Sequence, residues 1–404
     1  MTAAARSITF DRPRPRQATL SERLDELARR AGARDAAEPA RAVFLCVLAL
    51  LALGFLLQVS HAATTVPRAS FDAEVVRITR YRLLGLLVLL LGYRIGPRGI
   101  DRFIPALTVL SVLALLAVYL PGLDARVNGS RRWLALPGVP FTIQPSEIAR
   151  VVVCLWIARR AVQLGPRVES ARAGYLPMLA LGCVLFALIL FEPDVGGALL
   201  FLLCFAGTMW VGGARPAHVA GTALAVGAAA LAFGVSAFTH VRERIDVWLG
   251  ASVNDQVSRA AEAMASGDLF GVGLTHGAFR NTNLQYMQTD YVFALVGEEL
   301  GFFGLAVVVG LFLAFAFHSL RLVSSLRDRF AALVAFGLLV SVAFQAMLHV
   351  QVVTGLAPPK GMTLPFLSEG GSSLVASSFA VGLALGAARR PPAGRPLPRG
   401  VPGR

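Results

Sequence analysis

The sequence predicts an all-α integral membrane protein that crosses the bilayer about ten times. Of the 404 residues, 56% are hydrophobic and only 15% are charged, and the mean hydropathy is +0.65. Soluble domains do not combine such values. Several apolar runs approach about 20 residues, the length that spans a bilayer as a helix. Because these runs do not alternate polar and apolar residues, they favour helices over a β-barrel.

Ten apolar segments are candidate spans. The second is the least apolar, because Arg77, Arg80 and Arg82 crowd its start, and these arginines could snorkel to the interface. The eighth is long, and we expect it to begin in the interface. The ten segments are residues 42–59, 75–93, 103–120, 146–164, 175–191, 195–212, 216–239, 290–317, 330–354 and 374–388.

Basic residues are distributed unevenly along the loops. With the N-terminus inside, the cytoplasmic segments hold 25 Lys and Arg and the outer segments hold 12. Positive charge accumulates on the cytoplasmic side of membrane proteins. We therefore expect both basic tails, residues 1–41 and 389–404, to be cytoplasmic, and the net charge of +14 to reflect orientation rather than nucleic-acid binding. The N-terminal tail is expected to be disordered or to form a short surface helix at 21–30.

This topology gathers the polar stretches on the outer face. They are residues 128–150, 240–290 and 355–373, together with the joint at 192–194. A loop of this length between spans seven and eight, at 240–289, is uncommon and tends to be functional. Polar residues concentrated on one face favour chemistry at the membrane surface over transport through the midplane.

Three carboxylates lie at the start of the eighth span: Asp290, Glu298 and Glu299. Carboxylates in a membrane-length apolar run are expensive, so they are candidates for function. Thr289 or Asp290 could instead cap the helix, and the residues alone leave both interpretations open. Glu298 and Glu299 lie about 100° apart on a helix, so at least one should be structural. Asp194 follows a proline at a helix start, where capping is the simpler role.

Six short motifs of the sequence resemble motifs of the SEDS family of cell-wall polymerases, the FtsW/RodA/SpoVE proteins, and they follow one another in the same order as in that family. The resemblance covers most of residues 42–388. Its form at Lys360–Pro365 is more similar to the cell-division branch. The motifs are Asn128–Trp133, Gln144–Glu147, Pro193–Gly196, Gln256 with Ser266–Gly271, Thr289–Phe293 with Gly297–Gly301, and Lys360–Pro365 with Gly370–Ser373.

The resemblance implies polymerisation of lipid II at the outer face of the bacterial cytoplasmic membrane. A sugar hydroxyl attacks the anomeric carbon of a second lipid-linked unit, and undecaprenyl pyrophosphate leaves. It implies Asp290 as the base or acceptor-positioning group. No cofactor is certain, although a divalent cation, Mg²⁺ or Mn²⁺, could bind with the pyrophosphate; the sequence itself has no metal-ligand spacing. The implied partner is a class B penicillin-binding protein, a transpeptidase.

Cations and aromatic groups of the outer stretches complete the candidate site. Arg132 and Trp133 suit pyrophosphate recognition, or they anchor the chain at the interface. Arg150, with Asp290 as the implied partner, could instead pair with Glu147 three residues away. Gln256, Arg244 and Lys360 are further substrate-binding candidates. The Gly370–Ser373 motif, which includes Ser372 and Ser373, is expected to be structural: it would let the chain re-enter closely and then cap the last helix.

The chain also departs from the family pattern around the rim of this site. Arg150 stands where lysine is usual, Glu192 where glutamine is, and Glu369 where tyrosine is. Gln285 and Tyr286 replace a proline and a glutamate. Two alternatives to a polymerase therefore stay open: a flippase or transporter for a lipid-linked precursor, and a non-catalytic scaffold for a transpeptidase.

Overall fold

A computed structural model describes residues 36–120, 124–127, 130–135, 142–250, 255–279 and 286–389. The predicted tails up to residue 35 and from residue 390, and the surface helix expected at 21–30, lie outside these residues. So does Gln285.

Helices make up nearly all of the described chain, and a helix covers each of the ten predicted spans. Short 3₁₀ segments, Asp101–Phe103 and Gly165–Glu169, and a π-helix, Ala171–Tyr175, join some of them. The α-helices are α1 Ala37–Thr65, α2 Arg68–Ile100, α3 Ile104–Ala117, α4 Pro145–Leu164, α5 Leu176–Phe191, α6 Val195–Val211, α7 Pro216–Ala237, α8 Thr239–Trp248, α9 Asp255–Ser266, α10 Val292–Ser325, α11 Arg329–Val353 and α12 Gly371–Gly386.

Within the described ranges, six helical segments are long and apolar enough to cross a membrane. They are Ala37–Thr65, Arg68–Ala117, Ala171–Phe191, Pro216–Ala237, Val292–Ser325 and Arg329–Val353. Helices α6 and α12 are apolar but shorter. The prediction of an all-α, multi-pass membrane protein is therefore confirmed at this level.

Helix α2 is much longer than the apolar run that marked it. It packs along α12 at close range: a Cβ on Gly92 would lie 2.8 Å from the Phe379 carbonyl oxygen. Snorkelling is wrong for Arg82, which is only 8% exposed and donates to the carbonyls of Phe366 and Leu367, the latter at 2.8 Å. Those carbonyls satisfy a guanidinium that sequence reasoning placed in the headgroups.

Residues 267–279 are held against the first turns of α10. The backbone N–H groups of Val272 and Gly273 donate to the carbonyls of Glu298 and Glu299 at 2.9 and 3.1 Å. Gly271, at φ +82°, lies so close to Glu299 that a side chain there would overlap its carbonyl. This contact explains why the motif ends on glycine.

Both glutamates of α10 are structural. The Glu298 carboxylate accepts the Phe279 N–H at 2.9 Å, and the Glu299 carboxylate accepts the Ser60 hydroxyl at 2.7 Å. Both residues are buried. The expectation that at least one is structural is confirmed, although they bind the loop and α1 rather than only a neighbouring helix.

One feature outside the all-α prediction positions the site. Strands β1 Asp124–Val127 and β2 Ser130–Leu134 form an antiparallel hairpin. Leu134 also bridges to Ile143, just before α4. The hairpin thus carries Arg132 and Trp133 to the start of α4. The predicted 240–289 loop likewise contains regular structure, since α8 and α9 lie largely within it.

Candidate active site

A cavity of about 920 Å³ opens at one end of the bundle. The chain segments around it belong to the starts of α4, α6, α10 and α12 and to the end of α11. All predicted site residues except Glu298 and Glu299 line it. These are Arg132, Trp133, Glu147, Arg150, Asp194, Arg244, Gln256, Asp290, Lys360, Ser372 and Ser373.

Asp290 lies in a turn before α10, not at its cap. Its backbone N–H donates to the Tyr286 carbonyl at 2.9 Å, and Tyr291 is the N-cap residue, with no side-chain capping bond. The capping alternative for Asp290 is therefore wrong. Its carboxylate packs on Gly361, where a Cβ would lie 2.8 Å from Oδ2.

The surroundings of Asp290 make it a better base than a solvated carboxylate. Burial raises its pKa to about 6, against the opposing pull of Arg244, the Thr289 hydroxyl and Lys360. The group is still ionised at neutral pH, and a base is most effective when its pKa lies near the operating pH. The cavity therefore supplies a carboxylate suited to removing a proton from a hydroxyl.

Asp194 both caps a helix and faces the cavity. Its Oδ1 accepts the Gly197 N–H at 2.9 Å, so the predicted cap of α6 is confirmed. It also lies 3.7 Å from Nη1 of Arg132. Burial alone would raise the Asp194 pKa, but Arg132, Lys360 and the Gly197 N–H outweigh burial and hold that pKa below its usual value. Asp194 is thus an ionised anchor for the surrounding cations.

Arg132 is fixed by the joint between α5 and α6. It donates to the carbonyls of Glu192, at 3.1 Å, and Pro193, in addition to its ion pair with Asp194. These contacts hold the Arg132 guanidinium in place at the edge of the cavity. Trp133 lines the cavity beside it, so neither residue serves only as an interfacial anchor.

Lys360 and Arg244 complete a group of three cations. Burial lowers the pKa of Lys360 to about 8, although the Asp194 charge favours its ammonium form. Burial also lowers the pKa of Arg244, with Arg132 adding to the shift. The neighbouring arginines, Arg132 first among them, lower the pKa of Lys360 further, so these cations repel one another and an anionic group entering the cavity would relieve that repulsion.

Arg150 makes its hydrogen bond to neither of its expected partners. It is 5% exposed, and among the described residues no ion pair joins it to Asp290 or to Glu147. Its Nη2 donates instead to the side-chain oxygen of Gln345 in α11, at 2.7 Å. A polar residue of a distant helix thus takes the hydrogen bond of the guanidinium, while the charge of Arg150 still acts on the neighbouring Glu147 carboxyl.

The serine pair does not cap α12. That helix follows Gly370, and its N-cap has no side-chain bond. Ser372 accepts the Gln144 N–H at 3.0 Å. Ser373 accepts from the Thr363 hydroxyl at 2.8 Å and from Gln345 at 3.1 Å. The Gly370–Ser373 motif therefore supplies the N-cap residue through Gly370, whereas the serine side chains lie within the first turn and bind neighbouring segments instead of capping.

Sequence reasoning missed two polar residues that line the cavity. Gln345 and Thr363 bind one another and Ser373, yet neither was named as a candidate site residue, although Thr363 lies within the Lys360–Pro365 motif. A glutamine in the middle of an otherwise apolar span was the available signal for Gln345, since buried polar groups require partners.

No group of three or more His, Cys, Asp or Glu in the described part of the chain could by itself hold a metal ion. A divalent cation at this site would need phosphate oxygens of a ligand to complete its coordination.

Fold and site together define a multi-pass helical membrane protein with a charged, partly hydroxyl-lined cavity at one end of the bundle, suited to an anionic amphiphile. Residues 40–391 match the model of the FtsW/RodA/SpoVE family, described as cell cycle proteins. The chain belongs to this family.

Relatives and solved structures agree with that assignment. The chain is 31% identical to the probable peptidoglycan glycosyltransferase FtsW of Trichlorobacter lovleyi, over 85% of this chain and 91% of the relative. It is 34% identical to that of Halomonas elongata, over 77% and 80%. A structure of a peptidoglycan synthase complex, covering polymerization and crosslinking, superposes with a TM-score of 0.68 at 25% identity, over 85% of this chain and 95% of that chain. A mutant of Thermus thermophilus RodA gives 0.63 at 25% identity, over 86% and 96%.

Proposed function

We propose that this protein is a peptidoglycan glycosyltransferase that polymerises lipid II at the outer face of the cytoplasmic membrane. The observation that carries the proposal is the position of Asp290, whose carboxylate is free of a capping role and lines one cavity with Arg132, Arg244 and Lys360. A base beside a group of cations suits a transfer whose acceptor loses a proton and whose leaving group is a diphosphate.

The proposed step forms one bond and breaks one. Asp290 accepts the proton of a sugar hydroxyl as the hydroxyl oxygen attacks the anomeric carbon of the second lipid-linked unit. The bond from that carbon to the diphosphate oxygen breaks, and the electron pair leaves with undecaprenyl pyrophosphate. Arg132, Arg244 and Lys360 stabilise the charge that develops there, which is how preorganised cations lower such barriers. If a divalent cation binds with the diphosphate, it adds to the same charge stabilisation.

Polymerisation of purified lipid II by the full chain, in detergent or nanodiscs, tests the proposal. The wild type should produce glycan polymer, and Asp290→Asn should produce none although it melts no lower than the wild type. A folded wild type that forms no polymer alone or with a cognate transpeptidase would support the scaffold alternative. Movement of lipid II between leaflets without polymer would support the flippase.

The proposed activity requires the cavity to face outward. In this topology ten helices, α1–α7 and α10–α12, cross the membrane, the termini are cytoplasmic, and residues 240–289 form a large outer loop. Support comes from the excess of basic residues in the inner segments. Cysteines introduced at Ser252 and Ser324, in a chain without native cysteines, should be labelled by an impermeant reagent from outside and inside respectively. The reverse pattern would invert the topology.

The proposed partner is a class B penicillin-binding protein. The support is the similarity to a chain from a peptidoglycan synthase complex. Co-purification of the full chain with its division transpeptidase, followed by a polymerisation assay of the complex, would test this. If the two proteins do not associate, the proposed partner is wrong, but the proposed chemistry is unaffected.

A further inference from the structure

Gln345 of α11 contacts three other segments of the chain from within the cavity. It is 1% exposed. Its Nε2 donates to the Thr363 carbonyl at 3.0 Å, the Thr363 hydroxyl at 3.2 Å and the Ser373 hydroxyl at 3.1 Å. Its Oε1 accepts from Nη2 of Arg150 at 2.7 Å. One amide thereby links α11 to α4, to α12 and to the segment before α12.

The direction of this amide is fixed by its partners. A backbone carbonyl can only accept and a guanidinium can only donate. The Thr363 carbonyl therefore requires the NH₂ group on its side, and Arg150 requires the amide oxygen on the other. A flipped amide would lose both bonds, so Gln345 presents a single acceptor to Arg150 in a fixed direction.

The acceptor that holds Arg150 carries no charge. A buried arginine ordinarily pairs with a carboxylate or a phosphate, because an unpaired buried charge is costly. Here the guanidinium is buried, its Nε lacks a hydrogen-bond partner among the described residues, and its bonded neighbour is an amide. Its charge also acts on the Glu147 carboxyl, but no ion pair between the two is present in the described part of the chain. A carboxylate in the same place could accept the same bond, but it would neutralise Arg150 and leave the Thr363 carbonyl without its donor.

We infer that Gln345 is a positioning residue: it aims the Arg150 guanidinium into the cavity while leaving its charge available for an anionic group of the lipid-linked substrate. This inference rests on the proposed function. The shared chemistry of the ligand is a pair of anionic oxygens, from either the diphosphate or a stem-peptide carboxylate, which a guanidinium fork binds with two parallel bonds.

Two substitutions of Gln345 separate orientation from charge. Gln345→Leu removes the acceptor and should lower kcat/KM for lipid II about tenfold, the value of one hydrogen bond to a charged group. Gln345→Glu keeps the shape but pairs with Arg150, and should weaken binding of inorganic pyrophosphate or of N-acetylmuramyl pentapeptide. Whichever probe is weakened identifies the anion as diphosphate or carboxylate.

His349→Leu is the matched control. His349 lies one turn along α11, is 1% exposed, and its ring contacts the Met362 carbonyl at 2.6 Å, but it does not line the cavity. If Gln345→Leu acted only by loosening the segment around residues 360–363, His349→Leu would have the same effect. The control should lower the melting temperature without altering the KM for lipid II.

A double-mutant comparison decides whether Gln345 acts through Arg150. In an Arg150→Ala background, Gln345→Leu should cause no further loss of pyrophosphate binding or turnover, since coupled residues are not additive. Losses that add in full, wild-type kinetics of Gln345→Leu, or equal losses in His349→Leu would each overturn the inference. If Gln345→Leu does not fold, Gln345→Glu decides alone. If the wild type forms no polymer, the proposed function fails, and pyrophosphate binding by the same variants still tests the inference.

Discussion

The side chain of Lys360 lies across Gly196, in the space that a β-carbon at residue 196 would occupy. The glycine of the Pro193–Gly196 motif therefore serves a residue more than 160 positions away in the chain. It leaves room for the ammonium group to reach the cavity beside Asp194, whose charge acts on it.

Gly196→Ala should consequently reduce lipid II polymerisation with little change in melting temperature. The added methyl group displaces the flexible end of a lysine rather than backbone, so the fold can adjust at small cost while the cation moves. Gly310→Ala, which places its methyl group in open space, is the control and should behave as wild type. Wild-type turnover in Gly196→Ala would show that the position of Lys360 is unimportant.

Polymerisation should depend on pH through Asp290. Because burial raises its pKa to about 6, the ionised base disappears as pH falls below that value, and the rate should rise between pH 5 and pH 7. Steady-state rates across this range give the apparent pKa. A rate that is flat down to pH 4.5 would mean that the carboxylate does not act as the base.

The raised pKa of Asp290 also makes the stability of the protein depend on pH, in the direction opposite to that of the rate. A carboxyl whose folded pKa exceeds its unfolded value of 3.8 favours the folded state most at low pH, and this contribution is lost as pH rises to about 6. Asp290→Asn carries no such penalty. The melting temperature of the variant should therefore exceed that of the wild type at pH 7.5 but not at pH 4. A variant that melts lower at both values would assign Asp290 a structural role.

Glu192 should be neutral at physiological pH. It is fully buried, and neither of its carboxylate oxygens has a hydrogen-bond partner among the described residues. Burial, with the Asp194 charge, raises its pKa to about 9. The neutral acid has nearly the shape of the glutamine that the family usually carries, so Glu192→Gln should polymerise lipid II at the wild-type rate at pH 7.

The Glu192 substitution should nevertheless change the pH dependence of stability. In the wild type, the stability contributed by the neutral Glu192 acid is lost as the pH rises from the ordinary pKa of 4.5 to the raised pKa of about 9. Between pH 6 and pH 9, the melting temperature should therefore fall more for the wild type than for Glu192→Gln. Glu262→Gln, a substitution at an exposed position, is the control. Parallel curves for all three proteins would mean that Glu192 is ionised throughout.

Glu298 should matter for the 267–279 segment rather than for the reaction. Glu298→Leu removes the acceptor of the Phe279 N–H and should destabilise the protein by roughly 1–3 kcal/mol, the cost of an unsatisfied buried donor. Glu298→Gln keeps an acceptor oxygen and should stay close to wild type. Hydrogen exchange of residues 267–279 would report the difference, and equal protection in both variants would contradict the tether.

The sequence by itself determined the membrane class, the positions of the helices and most of the candidate site. Apolar runs of membrane length require helices, since each backbone group must be satisfied within the bilayer. Polar residues in short motifs between those runs could be assigned to one face. With the resemblance of those motifs to the SEDS family, Asp290, Asp194, Arg132 and Lys360 could be named before their surroundings were known, and they line one cavity.

Only the tertiary structure decided which group each of these residues meets. Arg150 binds Gln345, Arg82 binds two carbonyls before α12, and Ser373 binds Thr363 instead of capping a helix. Each partner lies on a different segment, and no periodicity or local spacing encodes it. A buried polar side chain takes whichever donor or acceptor the packing brings within about 3 Å, and that choice is made by the assembled bundle.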